Sequence, residues 1–230
     1  NQRNDNFENY IPLAPEKKFD LKTQSFFVIN GPGILTSRDP WNYNFSKINV
    51  VSNIEKLLSS YNSQRITYHK LDNKIELNDF IDTNPTKISW TRALKRDFDN
   101  NVFHLFDDKA MRIGSYRPFC KQNLYYEKNL VESPGLNQIY FPIKESENLI
   151  ISIPGIGGTK DFSLLLTGLV TDYQVQFNNQ CFPLYYYEEN KTTQKSLFDE
   201  SGNDEYIRRD AVSDFILDRA KKQYGLSASS

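Results

Sequence analysis

The chain has 230 residues, 38% hydrophobic, 14% aromatic and 25% charged, which is enough apolar material to bury a substantial core and excludes a disordered tail. Its 28 basic and 29 acidic side chains leave a net charge of −1, so no whole-molecule basic field drives nucleic-acid binding; such binding has to come from local patches or a neighbouring domain. Two cysteines, Cys120 and Cys181, fit a reducing compartment better than a disulfide framework, and no stretch approaches the roughly 20 apolar residues of a bilayer span, so no membrane association and a cytoplasmic location are expected.

The opening run "NQRNDNFENY" is polar, and the only methionine is Met111, as expected of a piece excised from a longer protein, although removal of a first methionine gives the same pattern. "QSFFVIN" reads as a strand that ends in a Gly31-Pro32-Gly33 turn. The following "GPGILTSRDPWNYNF" reads as a loop between elements. In "SKINVVSNIEKLLSSYN", Val50, Val51, Ile54, Leu57, Leu58 and Tyr61 recur at helical spacing and predict an amphipathic helix of about four turns. "SWTRALKRDFDN" predicts a second helix, with Ser89 as its cap, Trp90, Leu94 and Phe98 on one face, and Arg92, Lys95 and Arg96 off it.

Residues 111 to 187 change character. "RIGSYRPF", "NLYYEK", "NQIYFPI", "NLIISIP", "DYQVQF" and "CFPLYYY" are short aromatic or β-branched runs, each predicting a strand. Pro142 and Pro183 place their runs at sheet edges or bulges, because proline has no N–H for the ladder. "ENKTTQKSLFDESGNDE" has little to bury and reads as a mobile connection. "SDFILDRAKKQYG" predicts a closing helix capped by Ser213, with Phe215, Ile216 and Ala220 inward, Lys221 and Lys222 at its negative end, and Gly225 as its stop. The pattern is that of a single α+β domain over 1–230, with mixed helices and a mostly antiparallel sheet. Its parts are helical to about 105, strand-rich from about 106 to 190, and a helix from about 209 to 224.

Candidate chemistry is sparse. The turn Asp39-Pro40-Trp41-Asn42-Tyr43 is similar to the Asp/Asn-Pro-Pro-aromatic turn of amino-group methyltransferases, but its second proline is Trp41 and no glycine-rich cofactor loop precedes it. "PGIGGTKDF" departs from a phosphate-binding loop in spacing and in its Gly158-Thr159-Lys160-Asp161 ending, yet a Gly-Gly loop with one lysine suits close approach to a phosphodiester backbone. His69 and His104 have no companions at metal-ligand spacing, and neither cysteine sits in a nucleophile signature. A hydrolase would need converging titratable groups that the sequence does not display. What remains are Arg, Asn, Gln, Lys and Tyr on turns, the groups that read base edges and hold phosphates, although any polar surface carries them too.

"GILTSRDPWNYNF", "ISWTRALK", "SYRPFCKQNLYYEKNL", "LIISIPG" with "DFSLLLTGLVTDYQ", and "QCFPLYYY" follow one another in an order and spacing that resembles the C-terminal part of type ISP single-polypeptide restriction-modification enzymes. The similarity runs from about residue 10 to about 225. In that family a nuclease, a helicase-like motor and an adenine N6-methyltransferase precede a target recognition domain, and this chain resembles the last of these. The resemblance implies a bacterial phage-defence module that reads double-stranded DNA beside the methyltransferase and motor of the same polypeptide. It implies no catalysis and no cofactor in this chain, with S-adenosylmethionine, ATP and Mg2+ serving the parent enzyme.

The candidate DNA-contacting residues are Thr36, Arg38, Asp39, Arg92, Arg96, Arg117, Lys121, Gly157, Gly158, Lys160, Asn178, Asn179 and Gln180. Gly157, Gly158 and Lys160 are candidates for a backbone clamp, and Asn178, Asn179 and Gln180 for a base-reading turn. Asp39 alternatively pairs with Arg38 or Arg92 to fix its loop. In Tyr116-Arg117-Pro118-Phe119, Phe119 is expected to pack inward, and Arg117 either binds a carboxylate or reaches a phosphate. The competing reading is a protein-interaction or scaffold module that docks partners through its tyrosine-rich strands.

Overall fold

The 22-residue helix that organises the first half forms where apolar side chains recur every three to four positions, and it starts at Ser46, whose hydroxyl accepts from Asn49 N. The computed structural model describes residues 11–16, 24–72, 75–155, 161–190 and 205–225. In chain order the elements are β1 (Gly31–Pro32), α1 (Asp39–Asn42), β2 (Tyr43–Asn44), α2 (Lys47–Tyr68), α3 (Leu77–Phe80), α4 (Arg92–Asp99), β3 (Met111–Arg117), β4 (Cys120–Tyr125), α5 (Asn137–Tyr140), β5 (Ile150–Ile153), β6 (Leu165–Thr167), β7 (Val170–Thr171), β8 (Gln180–Pro183), β9 (Tyr185–Glu189), β10 (Tyr206–Asp210) and α6 (Asp214–Tyr224).

The predicted α+β class holds, and the strands form three sheets among the described residues. One runs β1-β8-β5-β6 with every pairing antiparallel, and a second is the antiparallel β9–β10 pair. The third runs β2-β4-β3-β7, in which only β3 and β7 are parallel. The buried apolar side chains divide into two clusters. Ile29, Ile34, Tyr43, Leu124, Tyr140, Ile150 and Cys181 belong to the cluster between the sheets. Val50, Ile54, Leu57, Tyr61, Leu94, Phe98, Met111 and Tyr125 belong to the helical one. β4 therefore serves both, with Leu124 in the first and Tyr125 in the second, while Met111 brings the start of β3 to the second.

α2 runs six residues past the predicted segment, because Tyr68 stacks against Phe80 and Phe98 and so earns the last turns a tertiary anchor. α4 is capped by Thr91 and not by Ser89: Thr91 Oγ1 accepts from Leu94 N at 3.2 Å. Trp90 is held outside the helix by its indole N–H, which donates to Asp82 O at 2.9 Å. Leu94 and Phe98 are fully buried as expected, and Trp90 packs edge-on against Phe98.

Four strand expectations are corrected. "QSFFVIN" contributes only an isolated bridge at Phe27, and the strand is the Gly31–Pro32 pair that had read as a turn. The Gly33 backbone lies so close to Thr171 and Asp172 that an added Cβ would sit 2.6 Å from Thr171 O. "NQIYFPI" is the short helix α5 followed by Pro142, since so short an apolar run as Ile139 to Phe141 has no periodicity that separates strand from helix. "DYQVQF" is a turn, because Asp172 Oδ1 accepts from Gln174 N and diverts the backbone from the ladder. Pro183 lies in a strand interior to its sheet, but at its last residue, beyond the reach of β1, which pairs only with Gln180 and Cys181.

The closing helix starts at Asp214, later than the expected 209, because Tyr206–Asp210 is strand β10. Ser213 caps it, accepting from Ile216 N at 3.3 Å, and Gly225 ends it at φ 62°, as the sequence implied. Phe215, Ile216 and Ala220 are half-buried, not core. Most of the polar connection, 191–204, lies outside the described residues.

Candidate nucleic-acid interface

After Leu35 the chain turns through Ser37, at φ 52°, into the single turn of α1, where Pro40 sits at the first helical positions. The turn presents Asp39 to the end of β3. Its carboxylate accepts from Thr36 Oγ1, from Tyr116 Oη at 3.1 Å and from Arg117 Nη2 at 3.4 Å. Arg117 Nη1 in turn donates to Asp172 Oδ1 at 2.8 Å and to Tyr116 O at 2.6 Å. The guanidinium also lies 3.8 Å from the centroid of the Tyr116 ring. One arginine thus joins α1, the tip of β3 and the turn after β7.

Burial sets the electrostatics of this cluster. Asp172 is 3% exposed, and desolvation lifts its carboxyl from 3.8 to about 6, with nearby Asp39 raising it further and Arg117 and the Gln174 amide opposing. Burial, then the Asp172 and Asp39 carboxylates, hold the Tyr43 phenol well above its ordinary value. Tyr116 is raised by the same causes, burial first.

Asn179 connects the cluster to the sheets from within. It is fully buried; its Nδ2 donates to Ser152 Oγ and to Asp172 O, both at 3.0 Å, and its Oδ1 accepts from Gly33 N at 3.0 Å. Asn178, at φ 50°, is half-buried and accepts from Gln174 Nε2 at 3.2 Å. Its carbonyl lies where a side chain on Gly155 would be, 1.9 Å from an added Cβ, so the turn seats directly on that glycine. Gln180 accepts from Asn30 Nδ2 at 3.3 Å.

Arg38 faces away from the cluster. It is 2% exposed, and none of its three side-chain nitrogens has a hydrogen-bond partner among the described residues. Desolvation brings its guanidinium down to about 10, against the opposing pull of Glu132. Glu132 itself binds Arg92, accepting from its Nε and, at 3.2 Å, from its backbone N–H. Arg38 also helps line a cleft of about 490 Å³ with Trp41, Pro85, Trp90 and Lys95. The expected pairing of Asp39 with Arg38 or Arg92 is thus replaced by pairing with Arg117.

The structure therefore brings Thr36, Asp39, Arg117, Asn178 and Asn179 into one bonded network; Arg92 is bonded to Glu132, whose charge also acts on the unbonded Arg38. Arg96, beside Asp97, and Lys121, across the ladder from Ser115, are exposed and lie outside this network. Gln180 stands apart on β8, while Gly157, Gly158 and Lys160 lie outside the described residues. Sequence reasoning missed Asp172, Tyr116 and Glu132, whose roles come from contacts across 55, 77 and 40 positions of chain. It also placed Phe119 inside, whereas the ring is 93% exposed at the tip of the β3–β4 hairpin. The local signal was present: Arg-Pro-Phe-Cys between two strands is a two-residue turn with proline at its first position.

No group of three or more His, Cys, Asp or Glu side chains suited to a metal occurs among the described residues. Both cysteines are free, and burial pushes the Cys181 thiol up to about 12. No helix among the described residues is long and apolar enough to cross a membrane.

No curated protein matches the chain. Solved structures do. A nuclease-deletion mutant of the Type ISP restriction-modification enzyme LlaGI, in complex with a DNA substrate mimic, is 32% identical over 92% of this chain, with a TM-score of 0.77. The ATP-dependent Type ISP restriction-modification enzyme LlaBIII, bound to DNA, is 29% identical over 98%, with a TM-score of 0.78. A cryoEM structure of a DrdV–DNA complex shares the fold at 20% identity over 98%, with a TM-score of 0.75. The chain spans 16%, 13% and 20% of those three polypeptides. The family model described as the Type ISP C-terminal specificity domain matches residues 25–230, and the chain belongs to that family.

Proposed function

We propose that this chain is the DNA target recognition module of a larger restriction-modification polypeptide, and that its surface turns discriminate base pairs while bond-making is done elsewhere in that polypeptide. The observation that carries the reading is the match of residues 25–230 to a specificity domain, joined to two relatives of about 30% identity that are bound to DNA. An adenine N6-methyltransferase and a motor precede it, and S-adenosylmethionine, ATP and Mg2+ serve those parts. The polypeptide works on cellular DNA in the cytoplasm.

The side chains divide by what holds them. Asn179, Asp172, Thr36 and Asp39 are occupied by internal bonds and position the loops. Arg92, Arg96 and Lys121 stand outward, where phosphates are reachable. Arg117, 37% exposed, does both: it braces the cluster and faces solvent. With a net charge of −1 the module adds little counterion release of its own, so specificity appears in the full polypeptide, where other surfaces supply affinity.

The test is exchange of residues 25–230 between this polypeptide and another family member, followed by methylome sequencing of cells that express each chimera. The methylated sequence is expected to follow the exchanged segment. A methylated sequence that stays with the rest of the polypeptide would refute the reading.

A further inference from the structure

β2 flanks β4 only at Asn123 and Leu124, and β7 flanks β3 only at Gly114 and Ser115. Past the Ser115–Lys121 pair the hairpin therefore continues as a short two-stranded ribbon, Tyr116 to Cys120, with no lateral strand among the described residues. Arg117 pairs with Cys120 across a turn of two residues, Pro118 and Phe119. Proline presets the backbone at the first turn position, and the second, Phe119, has φ 59°, in the left-handed region that glycine or asparagine occupies with least strain. The Phe119 ring is 93% exposed. Folding gains nothing from an aromatic side chain there, since it buries no surface and strains its own backbone.

The root of the ribbon is rigid where its tip is bare. Arg117 is held by Asp172 and Asp39 and stacked on Tyr116, and the register shifts between Ser115 and Arg117, where the ladder leaves its regular pairing. Arg117 and the exposed Lys121 lie two residues before and two residues after Phe119 in the chain. A two-stranded ribbon fits a groove of duplex DNA, and an apolar side chain at such a point inserts between base steps and unstacks them.

Resting on the target-recognition reading above, we propose that the β3–β4 ribbon enters a groove of duplex DNA and that the Phe119 ring wedges into a base-pair step, which makes Phe119 a positioning residue for sequence reading. Braced by the cluster at Arg117, the wedge is formed before DNA arrives.

The full-length polypeptide tests this on duplexes that carry its methylated sequence, with 2-aminopurine placed at each position in turn. The wild type is expected to raise fluorescence at a step distinct from the methylated base. Phe119→Ala is expected to abolish that signal, retain any signal at the methylated base, and bind the site roughly tenfold or more weakly. Phe119→Trp is expected to retain binding, and an abasic position at the responding step is expected to restore binding by Phe119→Ala. Site binding by Phe119→Ala equal to wild type would overturn the proposal. So would a loss that no abasic position rescues, accompanied by faster proteolysis between domains, because the ring would then pack against another domain. Failure of the domain exchange to move the methylated sequence would instead remove the underlying reading.

Discussion

Arg38→Met is expected to stabilise the fold. The guanidinium is 2% exposed, its nitrogens have no hydrogen-bond partner among the described residues, and burial takes it from 12.5 to about 10 even with Glu132 opposing. At about 1.4 kcal/mol per pH unit, holding it charged in the folded state costs about 3 kcal/mol relative to the unfolded chain, at every pH below 10. Methionine keeps most of the aliphatic stem, in a cleft that Trp41 also lines, and drops the charge, so a net gain of about 2 kcal/mol is expected, within the range of buried-ion replacements. The backbone bonds at residue 38, from Trp41 N and Asn42 N to Arg38 O, do not depend on the side chain. Urea unfolding read by tryptophan fluorescence measures it directly, because Trp41 and Trp90, the only two tryptophans, line the same cleft as Arg38. A variant less stable than wild type by 1 kcal/mol or more would show that the guanidinium has a strong partner and would refute the reasoning.

Asp172 gives the wild type a pH signature. Its folded value, about 6, lies above the unfolded 3.8, so its contribution is fully present below pH 3.8 and is lost as pH rises through 6, about 3 kcal/mol in all. Asp172→Asn should flatten that part of the stability curve, and an unchanged slope between pH 4 and 6 would exclude Asp172 as its source. Asn179→Ala removes three buried hydrogen bonds and leaves the Gly33 amide unpaired; a loss of about 3 kcal/mol in urea unfolding is expected, and one below 1 kcal/mol would contradict it. Phe98→Ala empties a site packed by Tyr61, Tyr68 and Trp90 and should cost about 4 kcal/mol by the same assay. Phe119→Gly relieves the left-handed backbone at an exposed site and should raise stability by about 0.5 to 1 kcal/mol in thermal melts.

The elements with strong local signals were legible in the sequence. The spacing from Val50 to Tyr61 marked α2, and Ser213 and Gly225 marked the ends of the last helix, because caps and periodicity are decided within a few residues. Gly31–Pro32 was not legible as a strand, since only its pairing with Gln180 and Cys181 makes it one. The run from Tyr173 to Phe177 has strand composition, yet the Asp172 side chain claims the Gln174 amide first. At the candidate site, residue types pointed to Arg117, Asp39 and Asn179 as important. What each does depends on partners far along the chain, and Asp172, with no motif of its own, emerged only from the fold.

A single uncharged carboxamide, Asn179, fastens the turn after β1, the middle of β5 and the chain just past β7. Since neither member of those contacts is ionised, added electrolyte leaves this fastening intact while it competes for the arginines and lysines at the surface. The scaffold should therefore keep one shape through ionic conditions that loosen its hold on a polyanion, so that release comes from the exposed cations and not from unfolding.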